Sequence, residues 1–376
     1  MATLAVELEG HIIDSLVLAK VLDTIVAAGV EHEVLDVRIG RTRLDPSRAR
    51  LEIRHPEPAT LDRLLDELRV HGVVPASEPA RSGRPFGGSR RVLPLLPAAT
   101  LPWGRRFLMC PPRHFGVLYE INPWMRAEIA VDPDLAHVQW DALVATLRAA
   151  GAAVEVMEPA EHVPDLVFTA NAGIVNARQF VPSHFRHPER QPETEVNAAW
   201  FAAAGYRVDL LPDGIGHEGA GDGLPFGGVL LAGYRSRSDA RAADALSALL
   251  GAPVRPIELV DERLYHLDIT FCPLDERRAI CAPSGWDRYG RQVVEELVPE
   301  PLMLTADEAL TFCANSVVVD RTVVMPACPP RVGRQLEAWG FDVVVAEVGE
   351  FLKAGGGCRC LTLALDFDLR PPPSAP

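Results

Sequence analysis

The sequence contains no run of 18 or more uncharged apolar residues, so it predicts no membrane-spanning helix. Its first residues, Met1-Ala-Thr-Leu-Ala-Val-Glu7, lack the basic cluster that opens a secretory leader. A cytoplasmic protein is the expectation. Excess positive charge is missing too: 37 Lys and Arg face 51 Asp and Glu, for a net charge of -14. Nucleic acid is attracted to basic surfaces and is not an expected partner, whereas a small cation would not be repelled. No Gly-x-Gly-x-x-Gly follows a strand-like segment, which leaves a dinucleotide fold unsupported. Cys358-Arg-Cys360 has no second cysteine pair and no His-x-x-x-His at ligand spacing, so no metal is expected. The seven cysteines are an odd number in 376 residues. In a reducing compartment they are expected to be buried thiols, with one of them a candidate for reactivity.

What is present reads as two domains and an ordinary globular composition, 48% hydrophobic and 23% charged. Residues 1–76 carry a strand-like "TLAVELEGHI", then a helix over "LVLAKVLDTIVAAG" with Asp14-Ser15 as its cap chemistry. The alternating "EHEVLDVRIGR" and "ARLEIRH" follow, then a helix over "TLDRLLDELRVHG" and a short "VVPAS". The order β-α-β-β-α-β predicts a small α+β ferredoxin-like domain. Residues 77–96 are rich in Pro, Gly, Ser and Arg and read as a linker. The end, 371–376, reads as a disordered tail.

Residues 97–370 look repetitive. Apolar segments holding small and acidic residues begin at 165, 217, 265, 312 and 355. Helical stretches separate them, such as "TEVNAAWFAAAG" and "ARAADALSALLG". A strand-rich segment plus a helix, repeated about five times, predicts a five-bladed α/β propeller. In such an array, polar residues at equivalent positions converge on the axis. The candidates are Asn171, Glu218, Asp222, His266, Asp268 and Cys360, all set in apolar segments. Buried carboxylates are costly unless paired, so their convergence implies a cationic partner.

Four of these segments, "DLVFTANAG" (165–173), "HEGAGD" (217–222), "YHLDITF" (265–271) and "GGGCRCLTL" (355–363), together resemble the signature set of the guanidine-modifying, or pentein, superfamily. "INPWM" (121–125), "HFRHPER" (184–190) and "GYRSRSD" (233–239) fit it as well. The similarity spans about residues 105–368. It implies that Cys360 is the nucleophile, His266 the general acid and base, and Glu218 its carboxylate neighbour. It further implies that Asp268 and Asn171 hold the guanidinium and that Arg237 binds a substrate carboxylate. Asn122, Arg186, Arg190 and Asp222 are further substrate-end candidates. No cofactor or metal is implied. The expected partner is a small guanidino compound, arginine or a derivative, with no nucleic acid and no membrane, and a homo-oligomer is the expected assembly. Residues two apart share a face of a regular strand, so strand geometry alone does not separate Cys358 from Cys360.

The resemblance also bears on the reaction. Asn171 stands where deiminases and dimethylargininases usually have aspartate, and in this it is similar to the arginine dihydrolases. The segments 6–23 and 34–53 resemble the small domain of ornithine-handling proteins. An arginine dihydrolase giving ornithine, ammonia and carbon dioxide is the leading expectation. A deiminase or dimethylargininase, an amidinotransferase and a non-catalytic arginine- or ornithine-binding regulator are the alternatives.

Overall fold

In a computed structural model of the chain, residues 1–13, 15–40, 45–76 and 101–369 are described. The expected linker at 77–96 and tail at 371–376 lie outside them. Period-two burial dominates the first unit. In strand β3 (Ser47–His55), Ala49, Leu51 and Ile53 are buried, while Arg48, Arg50, Glu52 and Arg54 point the other way. Strand β1 (Ala2–Gly10) pairs antiparallel with β3 and, on its other side, with β4 (Val74–Pro75). Strand β2 (Glu31–Arg38) pairs antiparallel with β3, so the sheet order is β2-β3-β1-β4. Two helices cover the inner face. Helix α1 (Val17–Ala27) buries Val17, Val21 and Ile25, and helix α2 (Pro58–Arg69) buries Leu61, Leu64, Leu65 and Leu68. These spacings are those of one helical face. The start of α1 departs from the expected cap. Leu16 at its N-cap adopts a left-handed φ of 60°, and the Ser15 hydroxyl donates to the carbonyl of His11 rather than to the helix. Asp14 lies outside the described residues.

The remainder is an α/β body of five three-stranded sheets of one topology. The first joins Gly173–Asn176, Gln179–Pro182 and Arg207–Val208. The second joins Gly223–Phe226, Val229–Tyr234 and Val254–Glu258. The third joins Phe271–Pro273, Arg278–Cys281 and Glu300–Met303, and the fourth Val317–Val319, Thr322–Met325 and Asp342–Val345. In each, an antiparallel hairpin is followed by a helix and a parallel third strand. The fifth sheet is assembled from both ends of the body. Leu363–Ala364 pairs antiparallel with Arg106–Met109, which pairs in parallel with Ala153–Val156. The late strand thus ties the body's end to its beginning.

First and middle strands are covered on both faces, which is why they read as unbroken apolar runs rather than as alternation. Third strands are largely half-buried or exposed, as in Glu300–Met303 and Asp342–Val345. The second sheet is the exception: its third strand, Val254–Glu258, is almost wholly buried. The N-terminal unit packs over it, with Lys20 of α1 on Glu258. Among the described residues, no helix is long and apolar enough to cross a membrane.

The segment from Gly355 to Leu361 is a turn, and the strand begins only at Leu363. Its glycines allow close approach. Gly355 has a φ of +80°, a Cβ at Gly356 would meet the ring of Phe168, and one at Gly357 would lie 2.8 Å from Asn315 Oδ1. We expect Gly356→Ala to lower stability by about 1–3 kcal/mol through overpacking against Phe168. A denaturant midpoint equal to that of the wild type would contradict this.

Candidate active site

Each of the five sheets contributes to one buried cluster through the segment that leads into its first strand. Asn171 lies in the 3-10 turn Thr169–Ala172, ahead of Gly173–Asn176. Glu218 caps the short turn Gly219–Asp222. His266 caps Leu267–Thr270, which contains Asp268. Asn315 comes just before Val317–Val319, and Cys360 just before Leu363–Ala364. All six side chains are buried.

Cys360 sits between a carboxylate and an amide. Its Sγ donates to Asp268 Oδ2 at 3.3 Å and accepts from Asn315 Nδ2 at 3.2 Å. Asn315 Oδ1 accepts the backbone N–H groups of Arg359 and Cys360, and its Nδ2 also reaches the carbonyl of Asp268 at 3.1 Å. One amide therefore holds the backbone and the sulfur of Cys360 and the backbone of Asp268. The thiol lies well above its ordinary pKa, because it is buried and the Asp268 carboxylate opposes a second negative charge. Burial likewise raises Asp268 to about 7, against the hydrogen bond from Cys360. Burial and the neighbouring carboxylate thus keep the Cys360 thiol protonated at neutral pH. Cys358 is buried as well but does not line the cavity that Cys360 lines.

His266 Nε2 meets Glu218 Oε2 at 2.8 Å, and Arg237 donates to the same oxygen at 3.0 Å. Burial pushes the Glu218 carboxyl up, but Arg237 and His266 outweigh it and hold the carboxyl below its ordinary range. Burial lowers His266 to about 4, with Glu218 pulling the other way. The imidazole is thus neutral at pH 7 and able to take a proton from an incoming group.

Arg237 also donates to the carbonyl of Ile121 at 2.9 Å and lies over the ring of Tyr265. Arg190 clamps Glu193 with two hydrogen bonds, at 2.8 and 2.9 Å, and donates to Asn171 Oδ1 at 3.0 Å. Asn171 Nδ2 reaches the carbonyl of Glu218 at 3.3 Å. Arg237, Arg190, Asn171, Asn122 and Cys360 line one small cavity.

Three more of the expected site residues use their polar groups on neighbouring structure. Asn122 spends its amide on a turn, donating to Ala354 and accepting from the N–H groups of Trp124 and Met125. The Arg186 side chain is exposed and donates to the carbonyls of Arg235 and Ser236; only its backbone N–H approaches Glu218, at 3.4 Å. Asp222 lies behind Glu218, accepting from the Ser238 hydroxyl at 2.6 Å and from the Leu267 N–H at 3.1 Å.

Two residues of the site escaped sequence reasoning. Asn315 falls in the fourth repeat, "FCANSVVV", at the place equivalent to the other site residues; the repeat register was its signal. Asp165 lines the cavity, accepts from Tyr119 at 3.0 Å and is 1% exposed. Arg190 Nε lies 3.7 Å from its Oδ2, and among the described residues its Oδ1 has no hydrogen-bond partner, nor does Asp268 Oδ1. Two buried carboxylates, each with an open oxygen, suit a ligand with two cationic groups.

A family profile described as "N,N dimethylarginine dimethylhydrolase, eukaryotic" matches residues 122–366. An N(G),N(G)-dimethylarginine dimethylaminohydrolase of Mycobacterium tuberculosis is 38% identical over 271 residues, covering 72% of this chain and 88% of that protein. The chain belongs to the dimethylarginine dimethylaminohydrolase family, within the pentein superfamily. The bifunctional arginine dihydrolase/ornithine cyclodeaminase AgrE of Nostoc is 40% identical over 270 residues. That alignment takes in 70% of this chain but only 38% of AgrE's length. The substrate-bound N-terminal domain of ArgZ, a cyanobacterial arginine dihydrolase, superposes with a TM-score of 0.68 at 37% identity, over 70% of this chain and 99% of that domain. Residues 3–83 match a second profile, the "LOR/SDH bifunctional enzyme conserved region".

The Cys360–Asp268 geometry has a direct chemical consequence. Replacing Asp268 by Asn removes the negative charge that raises the thiol, so alkylation of Cys360 by iodoacetamide should reach half its maximal rate at lower pH. A gain of about tenfold at pH 7 is expected, one pKa unit being a factor of ten in thiolate. Unchanged or slower alkylation in this variant, read by mass spectrometry of the Cys360 peptide, would contradict it.

Proposed function

We propose that the chain hydrolyses the guanidinium of free L-arginine to ornithine, ammonia and carbon dioxide. The family acts on C–N bonds of guanidino groups, and Cys360, His266 and Glu218 are the catalytic residues in this reading. The observation that carries it is the Cys360 thiol held against Asp268, whose second oxygen is open in a buried site. A guanidinium between them would pair with the carboxylate and present its carbon to the sulfur. Its charge would also favour the thiolate and so activate the nucleophile. The open oxygen of Asp165 suits the α-ammonium group at the far end, with Arg237 for the α-carboxylate.

The steps follow from these positions. Cys360 Sγ gives its proton to the neutral His266 and bonds to the guanidinium carbon, and this is the proton His266 then passes on. His266 supplies a proton to the departing nitrogen, the C–N bond breaks and ammonia leaves. The carbon is now a thiouronium on Cys360. His266 next takes a proton from water, whose oxygen attacks that carbon, and the C–S bond breaks to leave a ureido group and a free thiolate. A second round on the ureido group, with a second water, releases another ammonia, carbon dioxide and ornithine.

Asn171 favours the longer reaction. Its amide is neutral and is held by Arg190 and by the carbonyl of Glu218. A carboxylate there would favour the cationic substrate over the neutral ureido intermediate, and an amide discriminates less between them. A deiminase reaction ending at citrulline is the second reading, favoured by the match to the dimethylarginine dimethylaminohydrolase profile.

The five similar sheets support reading the body, residues 97–370, as a five-bladed α/β propeller. The order β2-β3-β1-β4 with two helices on one face supports a ferredoxin-like domain over residues 1–76.

Incubation with arginine tests the proposal. About two ammonia per ornithine is expected, and one ammonia per citrulline would replace it with the deiminase reading. Cys360→Ala should lower turnover by about a thousandfold or more while Cys358→Ala leaves it near wild type; the opposite pattern would overturn the choice of nucleophile. Asn171→Asp should make citrulline accumulate, and unaltered ornithine release from that variant would refute the role given to the amide.

A further inference from the structure

Outside the catalytic cluster, the most completely buried set of charges lies where the N-terminal unit meets the second sheet. Lys20, on α1, is 6% exposed. Its Nζ contacts Glu258 Oε2 and Asp287 Oδ2 at 2.6 Å each and donates to the Tyr234 hydroxyl at 3.0 Å. His71 Nδ1, from the same unit, meets that hydroxyl at 3.2 Å. Glu258 uses its other oxygen, Oε1, to hold Arg235 at 2.5 Å. One carboxylate thus links the small unit to the residue that follows the strand Val229–Tyr234.

Arg235 begins a tight segment. Its φ is 93°, a left-handed value rare outside glycine. Its N–H donates to the carbonyl of Ser238, and its own carbonyl accepts from Arg186. The segment then presents two groups to the same catalytic residue. Arg237 donates to Glu218 Oε2, and Ser238 Oγ accepts the Glu218 N–H at 3.0 Å. Glu218 is held at both its side chain and its backbone by four residues whose first is anchored through Glu258.

We infer that the N-terminal unit is a positioning element of the active site, holding the Arg235–Ser238 segment, and through it Glu218, by way of the buried Lys20–Glu258–Arg235 chain. The inference rests on the reading of Glu218 and His266 as catalytic. Lys20, Glu258 and Arg235 touch no reacting atom and act through Arg237. Without the Lys20 ammonium, the buried Glu258 and the half-buried Asp287 are left as neighbouring carboxylates, and the anchor of Arg235 changes charge and position. Arg237 then moves off Glu218. His266 is faced by Glu218, Arg237 and Arg190, with His217 beside it and the Tyr265 ring 4.8 Å away between centroids. Arg237 disfavours the protonated imidazole and Glu218 favours it. Loss of Arg237 from the pair therefore raises the pH at which His266 takes its proton.

The test follows the His266 ring by NMR in full-length, histidine-labelled protein, with the resonance assigned by its loss in His266→Gln. From about 4 in the wild type, the midpoint should rise by about half a unit or more in Lys20→Met and in Arg235→Met, a threefold change in proton affinity. The double variant should shift no further than the larger single one, since both break the same chain. Folded variants with the wild-type midpoint would reduce the unit to a structural anchor and overturn the inference. Additive shifts would overturn the route through Arg235. Should Lys20→Met not fold, Arg235→Met decides alone, because its side chain is 54% exposed and its loss leaves the core intact. The midpoint is read without turnover. Failure of wild-type protein to hydrolyse arginine would therefore sink the proposed activity without deciding this coupling.

Discussion

Glu218 is completely buried and still carries a charge, and the site depends on how that charge is held. An isolated carboxylate at such depth would take up a proton. Arg237 and His266 share its Oε2, Ser238 accepts from its backbone, and the Arg186 N–H approaches Oε1. A buried pair of this kind adds little net stability compared with an apolar core. Its value lies in geometry: the His266 ring is fixed in place and kept neutral while a permanent negative charge waits beside it. In the proposed reaction His266 takes a proton, and that charge is already there to receive it, with no solvent to reorganise.

The other half of the site is left incomplete in the opposite sense. Cys360 and Asp268 are two acids in contact, and burial works against ionising either. Asn315 fixes them without supplying charge. A neutral ligand would leave the open oxygens of Asp165 and Asp268 unpaired, whereas a guanidinium with an ammonium at its far end would satisfy both. In the proposed reaction binding and activation are one event, because the cation that would fill the site is also the electrophile. A resting thiol of high pKa has a further effect, which is low reactivity toward oxidants and adventitious electrophiles.

Much of this was legible in the sequence where a segment's fate is decided locally. Strands covered on both faces left apolar runs, and the helices between them kept their period. The glycines at 355–357 announced the close approach that Phe168 and Asn315 impose. The misses share one cause, which is distance along the chain. Asp165 opens a quoted motif, but its burial depends on Arg190, 25 residues later, and on Tyr119, 46 residues earlier. Asn315 is an ordinary amide until Cys360, 45 residues on, is folded against it. Lys20 reads as the polar position of an amphipathic helix, and only Glu258, 238 residues away, makes it a buried cation. For Arg186 the local motif suggested a ligand, while the fold sets its exposed guanidinium on the carbonyls of Arg235 and Ser236, about 50 residues away.

Distance along the chain also explains how the two units are related. The second sheet differs from its neighbours in having a buried third strand, and that strand carries Glu258. That strand lies under the N-terminal unit, and the hairpin strand paired to it, Val229–Tyr234, runs directly into Arg235 and Arg237. The small unit therefore rests on the one sheet whose loop holds Glu218. A merely tethered domain would have no need of Lys20 among Glu258, Asp287 and Tyr234. Burying that lysine carries a desolvation cost that an apolar contact would avoid. What the ion pair supplies, and an apolar contact could not, is one fixed register between α1 and the strand leading to the Arg235–Ser238 segment.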